Sequence, residues 1–227
     1  MSRPAGSGHA ALLIAACRRL IDTYDVDGWW PARTRFEVMV GAVLVQNTRW
    51  ANVAAAIRAL RGAGVLHPRG IATAESADLA ALIRPAGCQS VKVRRLQALA
   101  TWAGEVGNLR RLAAIDTVPL RRALLGVHGI GYETADAILC YAFDRQRFIA
   151  DKYARTWLGR MGCVPPSVLR SYEACRRHVE AELQHQRVDL PALHAAIVLH
   201  GQAVCRPRPA CTHCGLRDAC VLRLESG

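Results

Sequence analysis

The chain has 227 residues, 52% of them hydrophobic, and no apolar run near the roughly 18 residues of a membrane span. It is long enough to bury a core in one domain or two compact lobes, and it reads as a soluble cytoplasmic, nucleoid-associated monomer with no membrane partner. The formal charge of +12 excludes a surface indifferent to polyanions and points to nucleic acid, through counterion release from a phosphate backbone.

Apolar residues recur at three- and four-residue intervals over 9–25, 35–46, 50–64, 77–87, 92–107, 119–127, 132–143, 152–162, 168–184 and 191–204. Alternating, strand-like stretches are absent. Gly64, Gly87, Gly107, Gly126 and Gly162 stand where helix ends are expected, and Pro31, Pro119 and Pro191 where helices start. The pattern predicts an all-α protein of about ten helices, without repeats or long linkers. Of 30 basic residues only Lys92 and Lys152 are lysines. Lys92, Arg94 and Arg95 form a basic run on one helix, a solvated face or a DNA-flanking one.

Between two of these helices the chain runs Gly126-Val127-His128-Gly129-Ile130-Gly131. Glycines at alternate positions before a helix N-terminus leave backbone N–H groups free near the surface, an arrangement suited to a phosphate. His128 reads as positional rather than catalytic. Further on, Asp151 opens a helix. It can serve as an N-cap, or as an acid acting on the sugar of a bound nucleotide.

At the C-terminal end Cys205, Cys211, Cys214 and Cys220 follow the spacing C-x5-C-x2-C-x5-C. Four thiolates so close in sequence can close around one metal centre, zinc or a 4Fe-4S cluster. Zinc ribbons pair two knuckles across a longer gap, so the short intervals favour the cluster. A disulfide framework would need an oxidising compartment, and the remaining five cysteines are scattered.

These features occur in a known order. The helix ending "GAVLVQNTRW", the hairpin with Gly129, Gly131, Thr134 and Ala135, an Asp at the next helix start and the cysteine tail together resemble the helix-hairpin-helix DNA glycosylases of the endonuclease III superfamily. The resemblance spans essentially the whole chain. "GWWPARTRFEVMVGAVLVQNTRWANV" and "ADKYARTWL" look like the 3-methyladenine glycosylase III branch. The resemblance implies a two-lobed fold: a six-helix barrel with the hairpin over 27–145, and a 4Fe-4S lobe from 1–26 and 146–227, with DNA and the pocket between them.

The resemblance also implies roles. Trp29, Trp30, Pro31 and Trp50 would wall a pocket for alkylated purines, with Gln202 facing it. Flat, electron-rich rings suit a flipped cationic base, and three of the five tryptophans within 22 positions weigh against the alternative that they are core. Gln46 would enter the gap left by that base. Gly126, His128, Gly129, Gly131, Lys152, Arg206 and Arg208 would touch DNA. Asp151 would stabilise the oxocarbenium-like sugar and orient water.

Two departures stand out. Where bifunctional relatives carry a Schiff-base lysine, this chain has Glu133, at the same 18-residue interval from Asp151. A carboxylate cannot form an imine. The sequence therefore predicts a monofunctional glycosylase removing damaged bases from double-stranded DNA. The alternatives are an endonuclease III-like glycosylase and abasic-site lyase, or a damage-binding paralogue. Glu133 itself could favour the helix dipole or act as a second acid. The first cysteine interval is also one residue shorter than the common family spacing, which the arginine- and proline-rich loop can absorb.

Overall fold

The computed structural model describes residues 7–224, and among these every regular element is helical. The α-helices are α1 (Ser7–Thr23), α2 (Arg35–Leu44), α3 (Trp50–Gly62), α4 (Pro68–Thr73), α5 (Ser76–Leu82), α6 (Gln89–Val106) and α7 (Leu109–Leu112). They continue with α8 (Thr117–Leu125), α9 (Tyr132–Phe143), α10 (Lys152–Met161), α11 (Pro166–Leu169), α12 (Tyr172–Leu183), α13 (Leu190–Ala203) and α14 (Val221–Leu224). Short 3-10 turns lie at Arg84–Ala86, Cys211–His213 and Arg217–Ala219.

The count exceeds about ten because α4, α7, α11 and α14 span only four to six residues. That is too short for helical periodicity to register. Pro191 and Pro119 do sit in the first turns of α13 and α8, whereas Pro31 lies in the coil before α2. Gly107 and Gly162 close α6 and α10 at φ of 72° and 68°, but Gly126 closes α8 in ordinary right-handed geometry.

Contacts divide the chain into two units, Trp30–Arg145 and the combination of Met1–Trp29 with Gln146–Gly227. Each has its own apolar core.

In the Trp30–Arg145 unit, α2 buries every residue from Phe36 to Leu44, as an all-round apolar helix must. It packs on α6 and α9. Thr34 starts it by accepting from the Glu37 N–H at 3.1 Å, while the Glu37 carboxylate pairs with Arg61 rather than folding back. The helix ends at Leu44, whose carbonyl accepts from Lys92 Nζ at 2.9 Å, and the following turn puts Asn47 at φ 55°. Lys92 also donates to the Ala86 carbonyl at 2.7 Å and is 2% exposed. This residue is no part of a solvated basic face: its stem and ammonium are consumed inside the fold, and Arg94 alone of the run is exposed.

In the other unit α1 packs on α13 and α12, and α10 on α13, α11 and α14. Gly162 is doubly required there. Its φ is positive, and a Cβ would fall 3.0 Å from Val221 Cβ, which follows the last cysteine.

Candidate functional site

The hairpin is built by α8, the Gly126–Gly131 turn and α9. Arg121 on α8 grips Asp136 on α9 through two bonds, Nε to Oδ1 at 2.7 Å and Nη2 to Oδ2 at 2.8 Å, and Asp136 is wholly buried. The same guanidinium lies 5.2 Å above the Tyr132 ring, which is 50% exposed at the start of α9. The turn is thereby held from beneath. Gly126 and His128 are exposed, and Gly131 precedes α9 with no cap from its side chain position, leaving the helix N-terminus uncovered. Gly129 adopts φ 83° with the Arg95 side chain lying against it: a Cβ would come 2.6 Å from Arg95 Cδ.

Gln46 is tied into this turn. Its Nε2 donates to Thr134 Oγ1 at 2.9 Å and to the Gly129 carbonyl at 3.3 Å, and its Oε1 accepts from Arg95 Nη1. The amide is thus held by the hairpin at its nitrogen and by α6 at its oxygen. Glu133 is exposed in the first turn of α9, where a carboxylate favours the helix dipole.

The same unit gathers an aromatic group. Trp30 stacks on Tyr141 at 4.9 Å and 26°, and meets Trp50 edge-on at 5.0 Å. All three rings are partly buried against the core. Gly41 on α2 makes room, since its Cβ would lie 3.3 Å from the Trp30 indole. Sequence reasoning paired Trp30 with Trp50 and missed Tyr141, which the helical pattern of α9 had marked only as apolar. Pro31 is exposed and Trp29 belongs to the other unit.

In that other unit Asp151 is 9% exposed and caps α10: Oδ1 accepts from the Ala154 N–H at 2.7 Å. Oδ2 stands 3.7 Å from His194 Nε2 and accepts no hydrogen bond from the described residues. The capping and acid readings are therefore compatible, one oxygen for each. Lys152 is exposed beside it. Tyr153, 39% exposed, lies flat against α13 in a slot left by Gly201, whose Cβ would fall 3.2 Å from Tyr153 Cε1. Gln202, Arg206 and Arg208 are exposed on and after α13.

Cys205, Cys211, Cys214 and Cys220 line a single cavity with Trp157, Arg160 and His200. Among the described residues no three Cys, His, Asp or Glu side chains are drawn in around one point at metal-binding distance. The sulfurs make hydrogen bonds instead. Arg160 Nη1 donates to Cys205 Sγ at 3.2 Å and to the carbonyls of Cys205 and Arg206 at 2.7 and 2.8 Å, and the Cys220 thiol donates to the Arg160 carbonyl at 3.2 Å. Burial pushes the Cys214 thiol pKa up, a backbone hydrogen bond at Leu216 pulls it down, and Cys205, Cys220 and Cys211 raise it again. Four thiolates so near one another need a cation to offset their charge. Trp157 lines this cavity, and among the described residues its buried Nε1–H has no hydrogen-bond partner. The donor set suits an anionic thiolate-ligated cluster, which takes N–H donors at its sulfurs.

The sequence pattern of the HhH-GPD superfamily of base excision DNA repair proteins matches residues 40–184. A protein of Methanocaldococcus jannaschii named as a DNA repair glycosylase is 37% identical over 89% of this chain and 92% of its own length. Endonuclease III of Sulfolobus acidocaldarius is 28% identical over 86% and 85%. In structure, the chain is similar to H. pylori 3-methyladenine DNA glycosylase bound to 1,N6-ethenoadenine, with a TM-score of 0.70, 27% identity, and coverage of 86% of this chain and 97% of that one. A non-covalent endonuclease III–DNA complex superposes with a TM-score of 0.71 at 19% identity, over 94% of this chain and 97% of that one, and shares the fold. The chain belongs to the HhH-GPD superfamily of base excision DNA repair proteins, and within it to the DNA glycosylases.

Proposed function

We propose that the protein removes alkylated purines from double-stranded DNA by hydrolysis, as a monofunctional glycosylase. The observation that carries the reading is the state of the acid and the amines. Asp151 keeps one carboxylate oxygen for its helix and leaves Oδ2 for a substrate. Of the two lysines, Lys92 is buried on two carbonyls, and the position of the expected imine-forming lysine holds Glu133.

In the reaction the C1′–N bond breaks and its electron pair leaves with the base. The sugar becomes an oxocarbenium-like cation facing the Asp151 carboxylate, and water adds at C1′ and gives up a proton. A base already cationic from alkylation leaves neutral, so it needs little acid assistance. The Trp30, Trp50 and Tyr141 rings offer that cation π-faces, and the H. pylori neighbour named for 3-methyladenine supports the same substrate class. Hairpin N–H groups with Gly129 and Gly131 hold the backbone phosphate, and Lys152, Arg206 and Arg208 add positive charge. Gln202 is the remaining polar candidate beside the base.

The cofactor in this reading is a 4Fe-4S cluster on Cys205, Cys211, Cys214 and Cys220. When bound, it supplies a structural clasp for the segment after α13 and no step of the hydrolysis.

A panel of duplex oligonucleotides tests the activity. Release of 3-methyladenine, with strand scission only after alkali, is the expected result, and Asp151→Asn should abolish it. Covalent trapping by borohydride would overturn the monofunctional reading in favour of a lyase working through Lys152. Tight binding without turnover, unchanged in Asp151→Asn, would replace the enzyme reading with damage binding. Iron and acid-labile sulfide in equal amounts, with a yellow-brown absorption, are expected of the purified protein; zinc in a colourless protein would refute the cluster.

A further inference from the structure

Three side chains of one unit stand in line. Tyr24 Oη is 2.9 Å from His200 Nδ1, and His200 Nε2 is 3.8 Å from Cys214 Sγ. The Tyr24 and His200 rings meet edge-on at 5.9 Å, and His200 is only 4% exposed. Each ring nitrogen therefore faces one protein partner rather than water. The His200 carbonyl accepts from the N–H groups of both Val204 and Cys205 at 2.8 Å, so the residue is also fixed through its backbone to the first cysteine.

A neutral imidazole has one N–H and one lone pair, and the two partners decide which nitrogen has which. A free Cys214 thiol can donate its S–H to Nε2, which leaves Nδ1–H to donate to Tyr24 Oη. A metal-bound thiolate has no proton and can only accept. Nε2 must then carry the hydrogen, and Tyr24 O–H turns to donate to Nδ1. Loading the cysteines thus reverses both hydrogen bonds.

We propose that Tyr24 and His200 form a hydrogen-bond relay that fixes the histidine tautomer, delivers an N–H to the Cys214 sulfur and raises the reduction potential of the iron–sulfur cluster. The inference rests on the cluster reading above. An N–H donor at a ligand sulfur offsets negative charge, and so favours the reduced cluster, which carries one electron more. His200 is a positioning residue in this scheme, acting through a ligand rather than on DNA.

The test is a redox titration of the full-length, cluster-loaded protein, followed by electron paramagnetic resonance or protein-film voltammetry, with iron and sulfide assayed in each sample. His200→Phe removes the donor and should shift the potential to a more negative value. Tyr24→Phe keeps the ring but frees the tautomer, and should give a smaller shift in the same direction. His200→Gln returns an N–H donor and should bring the potential back towards that of the parent. An unchanged potential in His200→Phe at full iron content overturns the relay. If that variant does not fold, an unchanged potential in Tyr24→Phe overturns it equally. Absence of iron and sulfide from the parent protein overturns the cluster reading itself, a result distinct from either.

Discussion

Gly129 and Arg95 share one space. The glycine sits at φ 83° in the hairpin turn, and the Arg95 aliphatic stem fills the volume a Cβ would take. Arg95 in turn holds Gln46, which bonds Thr134 and the Gly129 carbonyl. Gly129→Ala should therefore cost about 1–3 kcal/mol by chemical denaturation, through backbone strain and loss of the Arg95 seat. Arg95→Ala in the same chain relieves the overlap but not the strain. A double-mutant cycle should show positive coupling, and strict additivity would contradict the shared space.

The Arg121–Asp136 pair predicts a larger loss. Asp136 is fully buried, and both its oxygens are met by one guanidinium. Arg121→Met takes away that bidentate partner and should destabilise the protein by about 3–5 kcal/mol, read from denaturant midpoints. It also withdraws the cation from the Tyr132 ring.

Gly201→Ala tests the seat of Tyr153. An added methyl group meets the ring, which must swing off α13 and disturb the first turn of α10, where Asp151 is the cap. Base release should slow in Gly201→Ala. Tyr153→Phe, which keeps the ring, should behave like the parent, and equal slowing of both in single-turnover assays would implicate the hydroxyl instead.

Three cysteines outside the tail make stability fall in alkali. Burial pushes the Cys17 thiol far up, Cys163 up to about 12 and Cys175 up to about 11, from an ordinary 9.0. Their folded pKa values lie above the unfolded ones, so the stabilisation is complete below pH 9.0 and is lost as pH rises through the folded values. The loss per thiol is at most about 1.4 kcal/mol per pH unit. Denaturation midpoints between pH 8 and about 10.5 check it. In native protein an aromatic disulfide reagent should label the exposed Cys88 and leave these three untouched until the chain unfolds.

Lys92 has the opposite sign. Burial lowers its pKa from 10.5, with Cys88 opposing and Arg95 adding to the effect. A depressed lysine makes stability rise with pH between the folded pKa and 10.5, because only the unfolded state still binds the proton there. Lys92→Met leaves the Leu44 and Ala86 carbonyls without their donor and should cost about 1–3 kcal/mol at neutral pH. Its deficit against the parent should widen in that alkaline window.

Long amphipathic helices were legible in the sequence, since α3, α6, α9 and α13 each offer several turns of apolar period. So was the local chemistry of the hairpin, because glycine spacing and a positive φ are properties of a few neighbouring residues. What escaped depends on distant partners. Nothing near Lys92 in sequence announces carbonyls 48 and 6 positions away. Tyr141 joins Trp30 only once α2 and α9 pack, and Tyr24 reaches His200 across 176 residues. Gln46 lies in the turn after α2 and is anchored by groups 83 and 88 positions later, so its engagement with the hairpin could not be read from its neighbours in sequence.

The unit holding α1 and the cysteine tail is assembled from both ends of the chain, with all of Trp30–Arg145 intervening. On the ribosome the intervening unit emerges whole and can fold at once, whereas α1 must wait for α12 and α13 to be synthesised before its apolar face finds cover. The four tail cysteines emerge later than all of these helices. Synthesis itself therefore imposes an order: the hairpin unit is finished before the acid-bearing unit, and any stop before Cys205 leaves α1 translated and its thiol companions missing.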